Sequence, residues 1–265
     1  MKLLITSLLL SLAVIIIASC SKDSKNKSQT NNTNNIPAAN PPSGALIELN
    51  GIDSSGATPF NFSMKYSYDA NGDFGLLAGS GGQYSGTVQF TYTSTTMTVN
   101  SMLGAGLTFS KYGNLDSKGR LTQLFDDAAD YQSYQYSSDG YLTTSEIYEA
   151  NVLTYSFTYT WSNGNLVTVN QTDHGVVGKP EIYTYYNNQP AIPGVDIALG
   201  SALPLFGGWP VIFNSSLLGK QSTNLIAGNG FSVNALNVFS YVFSNGKPVT
   251  IFTDDNQILN LTYAP

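Results

Sequence analysis

The sequence predicts an all-β protein, an antiparallel meander of repeated hairpins curling around one aromatic-lined core. Two observations carry that expectation. From Tyr134 to Val169, aromatic residues alternate with Ser and Thr, the period of a strand with one buried and one wet face. The runs are separated by Ser138-Asp139-Gly140 and Ser162-Asn163-Gly164, whose residues accept positive φ at little cost and so suit tight hairpins. The preferred architecture is a curled sheet or open half-barrel covered by an irregular apolar segment. A two-sheet β-sandwich is the alternative.

The first twenty residues read as an export signal rather than as part of the fold. Lys2 carries the positive charge, Leu3 to Ile17 is apolar, and Ile17-Ala18-Ser19-Cys20 follows directly. The apolar run is short for a stable membrane helix, which needs about 20 residues. Cys20, the sole cysteine of the chain, after small residues resembles a bacterial lipobox. That resemblance implies cleavage before Cys20 and attachment of a lipid to its sulfur, making the membrane a partner through this anchor. Cys20-Ser21-Lys22-Asp23-Ser24 resembles the start of mature Bacteroidetes lipoproteins, which implies outer-membrane residence on the surface-exposed or periplasmic face. Residues 21–43 have almost nothing apolar to bury, and Pro37, Pro41 and Pro42 keep them extended, so they form a polar, disordered tether.

Residues 44–265 form a single all-β domain. Ala45 to Leu49 is a strand ending at the turn pair Asn50-Gly51. Phe60, Phe62, Met64, Tyr66 and Tyr68 share one face of the next, and Asp69 to Asp73 turns the chain towards Phe74, Leu76 and Leu77. Thr87 to Val99 is strand-like through its Thr and β-branched content. A repeat then emerges: Asp116-Ser117-Lys118-Gly119-Arg120-Leu121 parallels Ser137-Ser138-Asp139-Gly140-Tyr141-Leu142 and Ser162-Asn163-Gly164-Asn165-Leu166. A further copy spans Tyr241 to Val249 around Asn245-Gly246.

This unit, with Tyr66-Ser67-Tyr68-Asp69-Ala70-Asn71-Gly72 as its closest copy, resembles the YD-repeat hairpin. With its lipobox, tether and late aromatic strand before Gly246-Lys247-Pro248-Val249, the chain is similar to a family of uncharacterised Bacteroidetes outer-membrane lipoproteins. The resemblance bears on architecture and location, not on activity.

Residues 187–235 interrupt the pattern. The stretch is apolar without clean alternation, and Pro190, Pro193, Pro204 and Pro210 exclude central strands there. It is expected to fold over the aromatic face of the sheet, with one short helix around Val195 to Leu203.

The chemistry-bearing residues exclude more than they assign. From Gly44 onward seven Lys or Arg face sixteen Asp or Glu, a formal charge of −9 that repels phosphate backbones and argues against nucleic acid. No Gly-x-Ser-x-Gly, Gly-x-Gly-x-x-Gly or P-loop pattern occurs, and His174 is the sole histidine. Neither an enzyme nor a cofactor is therefore expected, although Asp127 and Glu146 are the pair a glycoside-active site would use. Asp69, Asn71 and Asp73 have the spacing that opens a calcium loop, but Phe74 and Ser80 stand where its Gly and Glu belong, so a hairpin turn explains them better. Tyr155, Phe157, Tyr159 and Trp161 share a face that serves either as core or as a binding platform. Trp161, Trp209 and Phe206 are the candidate ligand contacts. The expected function is a lipid-anchored, non-catalytic binding module for glycan or protein. The alternative is a carrier holding an apolar ligand within the curled sheet.

Overall fold

The structure, a computed structural model, describes residues 41–54, 59–81, 85–103, 107–192, 215–234, 236–254 and 256–265. Cys20, Phe206, Trp209 and the helix expected around Val195 to Leu203 lie outside them.

Among the described residues there are seventeen strands. They are β1 (Leu46–Asp53), β2 (Phe60–Tyr68), β3 (Phe74–Ser80), β4 (Gly86–Tyr92), β5 (Thr96–Leu103) and β6 (Leu107–Leu115). Next come β7 (Leu121–Phe125), β8 (Tyr131–Tyr136), β9 (Leu142–Glu149), β10 (Val152–Ser162), β11 (Asn165–Asp173) and β12 (Val176–Val177). The last are β13 (Glu181–Pro190), β14 (Asn224–Gly230), β15 (Asn237–Ser244), β16 (Lys247–Thr253) and β17 (Gln257–Tyr263). All pairings are antiparallel, and apart from β11 with β13 and β1 with β17 they join sequence neighbours, β12 being a two-residue strip on β11.

The meander is as expected, but its ends meet. β17 pairs with β1 through seven positions, from Leu46↔Tyr263 to Asp53↔Gln257, so sixteen strands close into a barrel. This corrects both the open half-barrel and the sandwich. The buried face needs no separate covering layer, because the opposite wall of the barrel supplies it.

The repeated glycine hairpins fall into two kinds of turn. In loops 69–73, 116–120 and 137–141 the first N–H donates to the fifth carbonyl and the glycine N–H donates back to the first carbonyl. The Asp69, Asp116 or Ser137 side chain then accepts from the fifth N–H. Only the glycine must be left-handed, at φ +84° in Gly72, +75° in Gly119 and +95° in Gly140. Asn163-Gly164 and Asn245-Gly246 instead have positive φ at both residues, the two-residue turn whose twist matches that of its strands. The stretch Thr87 to Val99 proves to be two strands. Thr93 Oγ1 accepts from the N–H groups of Thr95 (3.2 Å) and Thr96 (2.9 Å) and turns the chain without glycine.

Alternation along the strands sorts side chains into an apolar inside and a polar outside. Val88, Phe90, Met97, Val99, Leu121, Leu124, Phe157, Leu166 and Ile251 are at most 1% exposed and pack in one continuous core. Their strand neighbours on the outer face include Thr87, Gln89, Thr91, Thr98, Thr158, Thr168 and Thr250. Packing is close enough that a Cβ on Gly51 would sit 2.1 Å from the Phe62 ring opposite it.

The two ends of the barrel differ. The terminal end carries the beginning of β1 and the end of β17, where Gly44 N–H donates to Ala264 O at 3.1 Å. Residues 187–235 are in part regular, contributing the end of β13, a 3-10 turn at Ser215–Leu218 and β14. Leu217 and Leu218 are each 3% exposed within the core, and Lys220 N–H and Thr223 N–H donate to Gly140 O and Gly164 O. The described part of this segment thus closes the terminal end. At the opposite, distal end the inward side chains turn polar: Asp53, Ser101, Gln132 and Asn229 are all buried.

Candidate functional site

The Tyr155, Phe157, Tyr159 and Trp161 face points into the barrel. Phe157 and Tyr159 are buried, while Tyr155 and Trp161 pack against the core. Tyr159 shares a 2.8 Å hydrogen bond with Ser145, so this part of the interior is satisfied rather than open. Trp161 Nε1 donates to Leu142 O at 2.7 Å, and its ring lies 4.6 Å from that of Tyr141. Those contacts tie Trp161 to the terminal-end hairpins.

The acidic candidates serve turns. Asp127 accepts from the N–H groups of Ala129 (2.7 Å) and Asp130 (2.9 Å), which hold its carboxyl below the usual range. Glu146 lies on the outer face of β9, so Asp127 in its loop and Glu146 on the wall do not line one cleft. Asp69 accepts from Asn71 N–H (2.8 Å) and Asp73 N–H (3.0 Å), as a hairpin requires. His174 sits in an exposed turn with Nδ1 2.6 Å from Asp173. Among the described residues no three His, Cys, Asp or Glu are grouped to hold a metal ion.

One half-buried carboxyl does stand out at the distal end. Glu181 accepts from Asn229 Nδ2 at 2.7 Å, and the Tyr183 hydroxyl faces the same carboxyl without reaching full hydrogen-bond geometry. Burial raises its pKa above the ordinary Glu value of 4.5, offset in part by those two neighbours. A raised folded-state value means its contribution to stability is fully present below the unfolded value and lost as pH rises through the folded one. Glu181→Gln is therefore expected to flatten the stability–pH profile, with the variant gaining on the parent towards neutral pH. Urea denaturation across that range measures it, and parallel profiles would refute it.

The outer wall holds a constellation that local sequence patterns do not reveal. Tyr112, Phe125, Tyr131 and Tyr148 occupy four successive strands, and the register sets each opposite the next: Tyr112↔Phe125, Phe125↔Tyr131, Tyr131↔Tyr148. Their neighbours Leu124 and Gln132 are buried inside, which places these rings outside. Tyr112 and Phe125 are 4.5 Å apart and 7° from parallel, and Tyr131 and Tyr148 are 4.6 Å apart and 9° from parallel. Phe125 and Tyr131 bridge the two pairs at 5.7 Å. These spacings match the roughly 4.8 Å between strands. The rings therefore form two face-to-face pairs whose inner members meet at 33°. Leu153, opposite Tyr148 and 44% exposed, extends the row onto β10.

A polar row runs beside the stack. Asn114 Nδ2 donates to Gln123 Oε1 at 3.1 Å, while Ser133 Oγ (3.1 Å) and the Tyr148 hydroxyl (2.8 Å) both donate to Glu146 Oε2. The bond to Glu146 pushes the Tyr148 hydroxyl up to about 12, so it stays protonated and donating at physiological pH. In sequence each aromatic lies on a different strand, and the only local signal is an acid next to three of them, Phe125, Tyr131 and Tyr148, near a strand end.

No family model and no curated protein matches the chain. Solved structures do. A porin-like protein from Bacteroides uniformis superposes with a TM-score of 0.67 at 16% identity, covering 85% of this chain and 99% of that one. A porin-like protein from Bacteroides vulgatus gives 0.51 at 14% identity, covering 84% and 99%. The fold is shared. At such identities the likeness extends to the barrel and not to its activity.

Proposed function

We propose that this chain is a non-catalytic envelope protein, held at the outer membrane by a lipid on Cys20, whose barrel stands in water and docks a protein partner. The observation that carries this reading is the inversion of the wall. A barrel embedded in lipid turns an apolar band outward and keeps a polar interior. Here the interior is the apolar core and the outer wall is mainly Thr, Ser, Asn and Gln. A filled interior also supports neither a water channel nor a carrier cavity. Among the described residues the stack of Tyr112, Phe125, Tyr131 and Tyr148 is a contiguous aromatic feature on this wall, the side-chain class enriched at interface centres. A glycan would lie on ring faces, and within the stack those faces are occupied by neighbouring rings. A protein surface can pack against ring edges, so protein is favoured over glycan.

Two experiments test the parts separately. A photo-crosslinker at Tyr131 in cells is expected to give a discrete adduct that Tyr148→Ser abolishes, whereas one at outward-facing Thr158, between Thr144 and Asn170, gives none. Identical adducts from both positions would count against a docking wall. Palmitate labelling is expected to disappear in Cys20→Ala, and its persistence would remove the anchor.

A further inference from the structure

The outer wall at the closing seam carries a second surface of different chemistry. Register across β16, β17, β1, β2 and β3 lines up Thr250, Asn260, Asn50, Ser63 and Ser80, each directly opposite the next. One step towards the distal end, Phe252, Ile258, Ile52 and Asn61 are aligned in the same way. Their strand neighbours Leu49, Gly51, Phe62, Ile251 and Leu259 are buried, which turns both rows outward. A depression of about 320 Å³ opens in the wall here, lined by Asn50, Ile52, Asn61, Ser63, Ser80 and Asn260. β4 and β5 separate this strip from the aromatic stack.

We infer that the strip binds a neutral glycan lying across the strands, its hydroxyls on the amide and hydroxyl row and its C–H faces on Phe252, Ile258 and Ile52. Neither row holds a charged residue, so nothing in it draws an ionic partner. In the next row Glu48 and Lys65 stand opposite each other. Thr250 Oγ1 donates to Asn260 Oδ1 at 3.1 Å. Among the described residues the side chains of Asn50, Asn61, Ser63 and Ser80 make no hydrogen bond to another protein group. Each amide offers a donor beside an acceptor, the pair that two vicinal hydroxyls complete. Phe252 is 39% exposed, and among the described residues no second ring stacks on it, so its face is not taken as those in the stack are. The spacing agrees as well. Successive strands present a polar group about every 4.8 Å, close to the length of one pyranose unit in an extended chain. A peptide laid the same way repeats its side chains roughly every 6.6 Å, two residues of extended backbone, and falls out of step.

The test is isothermal titration calorimetry of the full chain with the β-linked neutral sugars cellohexaose and mannohexaose, and with hexagalacturonate as an anionic counterpart of the same length. At least one neutral hexasaccharide is expected to bind, with an affinity unmoved by salt, since contacts between uncharged groups are not screened. Phe252→Ala should weaken it several-fold, and Phe252→Tyr, which keeps the ring, should retain it. Asn50→Ala with Asn260→Ala should weaken it roughly tenfold. Melting temperatures close to the parent's show that these outer-wall variants still fold. Tyr148→Ser is expected to leave binding intact. Binding of neither neutral hexasaccharide overturns the assignment, as does tighter binding of hexagalacturonate. Loss of binding in Tyr148→Ser with none in Phe252→Ala overturns it too, by moving the ligand to the stack.

Discussion

Phe157→Ala is expected to destabilise the barrel by about 3–5 kcal/mol, the range for emptying an aromatic site in a close-packed interior. Phe157 is 1% exposed, sits opposite Ser145 on β9 and Gln171 on β11, and belongs to the core that spans the barrel. The walls on either side belong to closed hydrogen-bonded ladders and can collapse little into the space, which places the cost towards the upper part of the range. For a domain of this size the melting temperature should fall by roughly 6–20 °C. The experiment also decides between two pictures of a sixteen-stranded barrel. A loss below about 1 kcal/mol, as for a surface substitution, would mean that Phe157 faces water in a lumen, and the packed-interior argument would fail.

Leu259→Pro should be more damaging still. Leu259 pairs with Gly51 on β1 and with Ile251 on β16, so its strand is flanked on both sides. Whichever neighbour its N–H faces, proline removes that bond, at a cost of about 3 kcal/mol or more, and it is excluded from such central positions. The buried leucine side chain, 2% exposed, is lost as well. The expected outcome is loss of the cooperative unfolding transition in circular dichroism. In an open half-barrel β17 would have a free edge and could accommodate proline there, so a variant melting near the parent would argue that the β1–β17 seam is not closed.

Much of the meander was legible in the sequence because strands and tight turns are written locally. The inward face Phe60, Phe62, Met64, Tyr66 and Tyr68 is the alternation read directly from β2, and the glycines of 69–73, 116–120 and 137–141 occupy the left-handed position each turn demands. The boundary between β4 and β5 was not legible. Thr93 makes that turn with a side-chain oxygen rather than with glycine, asparagine or proline, and threonine is equally at home in a strand. The segment 187–235 looked irregular throughout because of its prolines, yet Pro190 lies at the very end of β13, opposite Asn224.

What the sequence determined by itself is therefore a period and its punctuation: which residues alternate, where the chain reverses, and that this alternation buries one aromatic face. Only the tertiary structure decided what covers that face. Pairing of β1 with β17 joins residues more than two hundred positions apart, such as Asp53 and Gln257, and no local pattern specifies a partner at that separation. Closure then assigned inside and outside, making Phe157 and Tyr159 core and placing Tyr112, Phe125, Tyr131 and Tyr148 on the outer wall. The candidate surface depends on the same non-local information. Tyr112, Phe125, Tyr131 and Tyr148 are scattered singly along the chain, and it is the register of four strands, roughly 4.8 Å apart, that brings their rings into one stack.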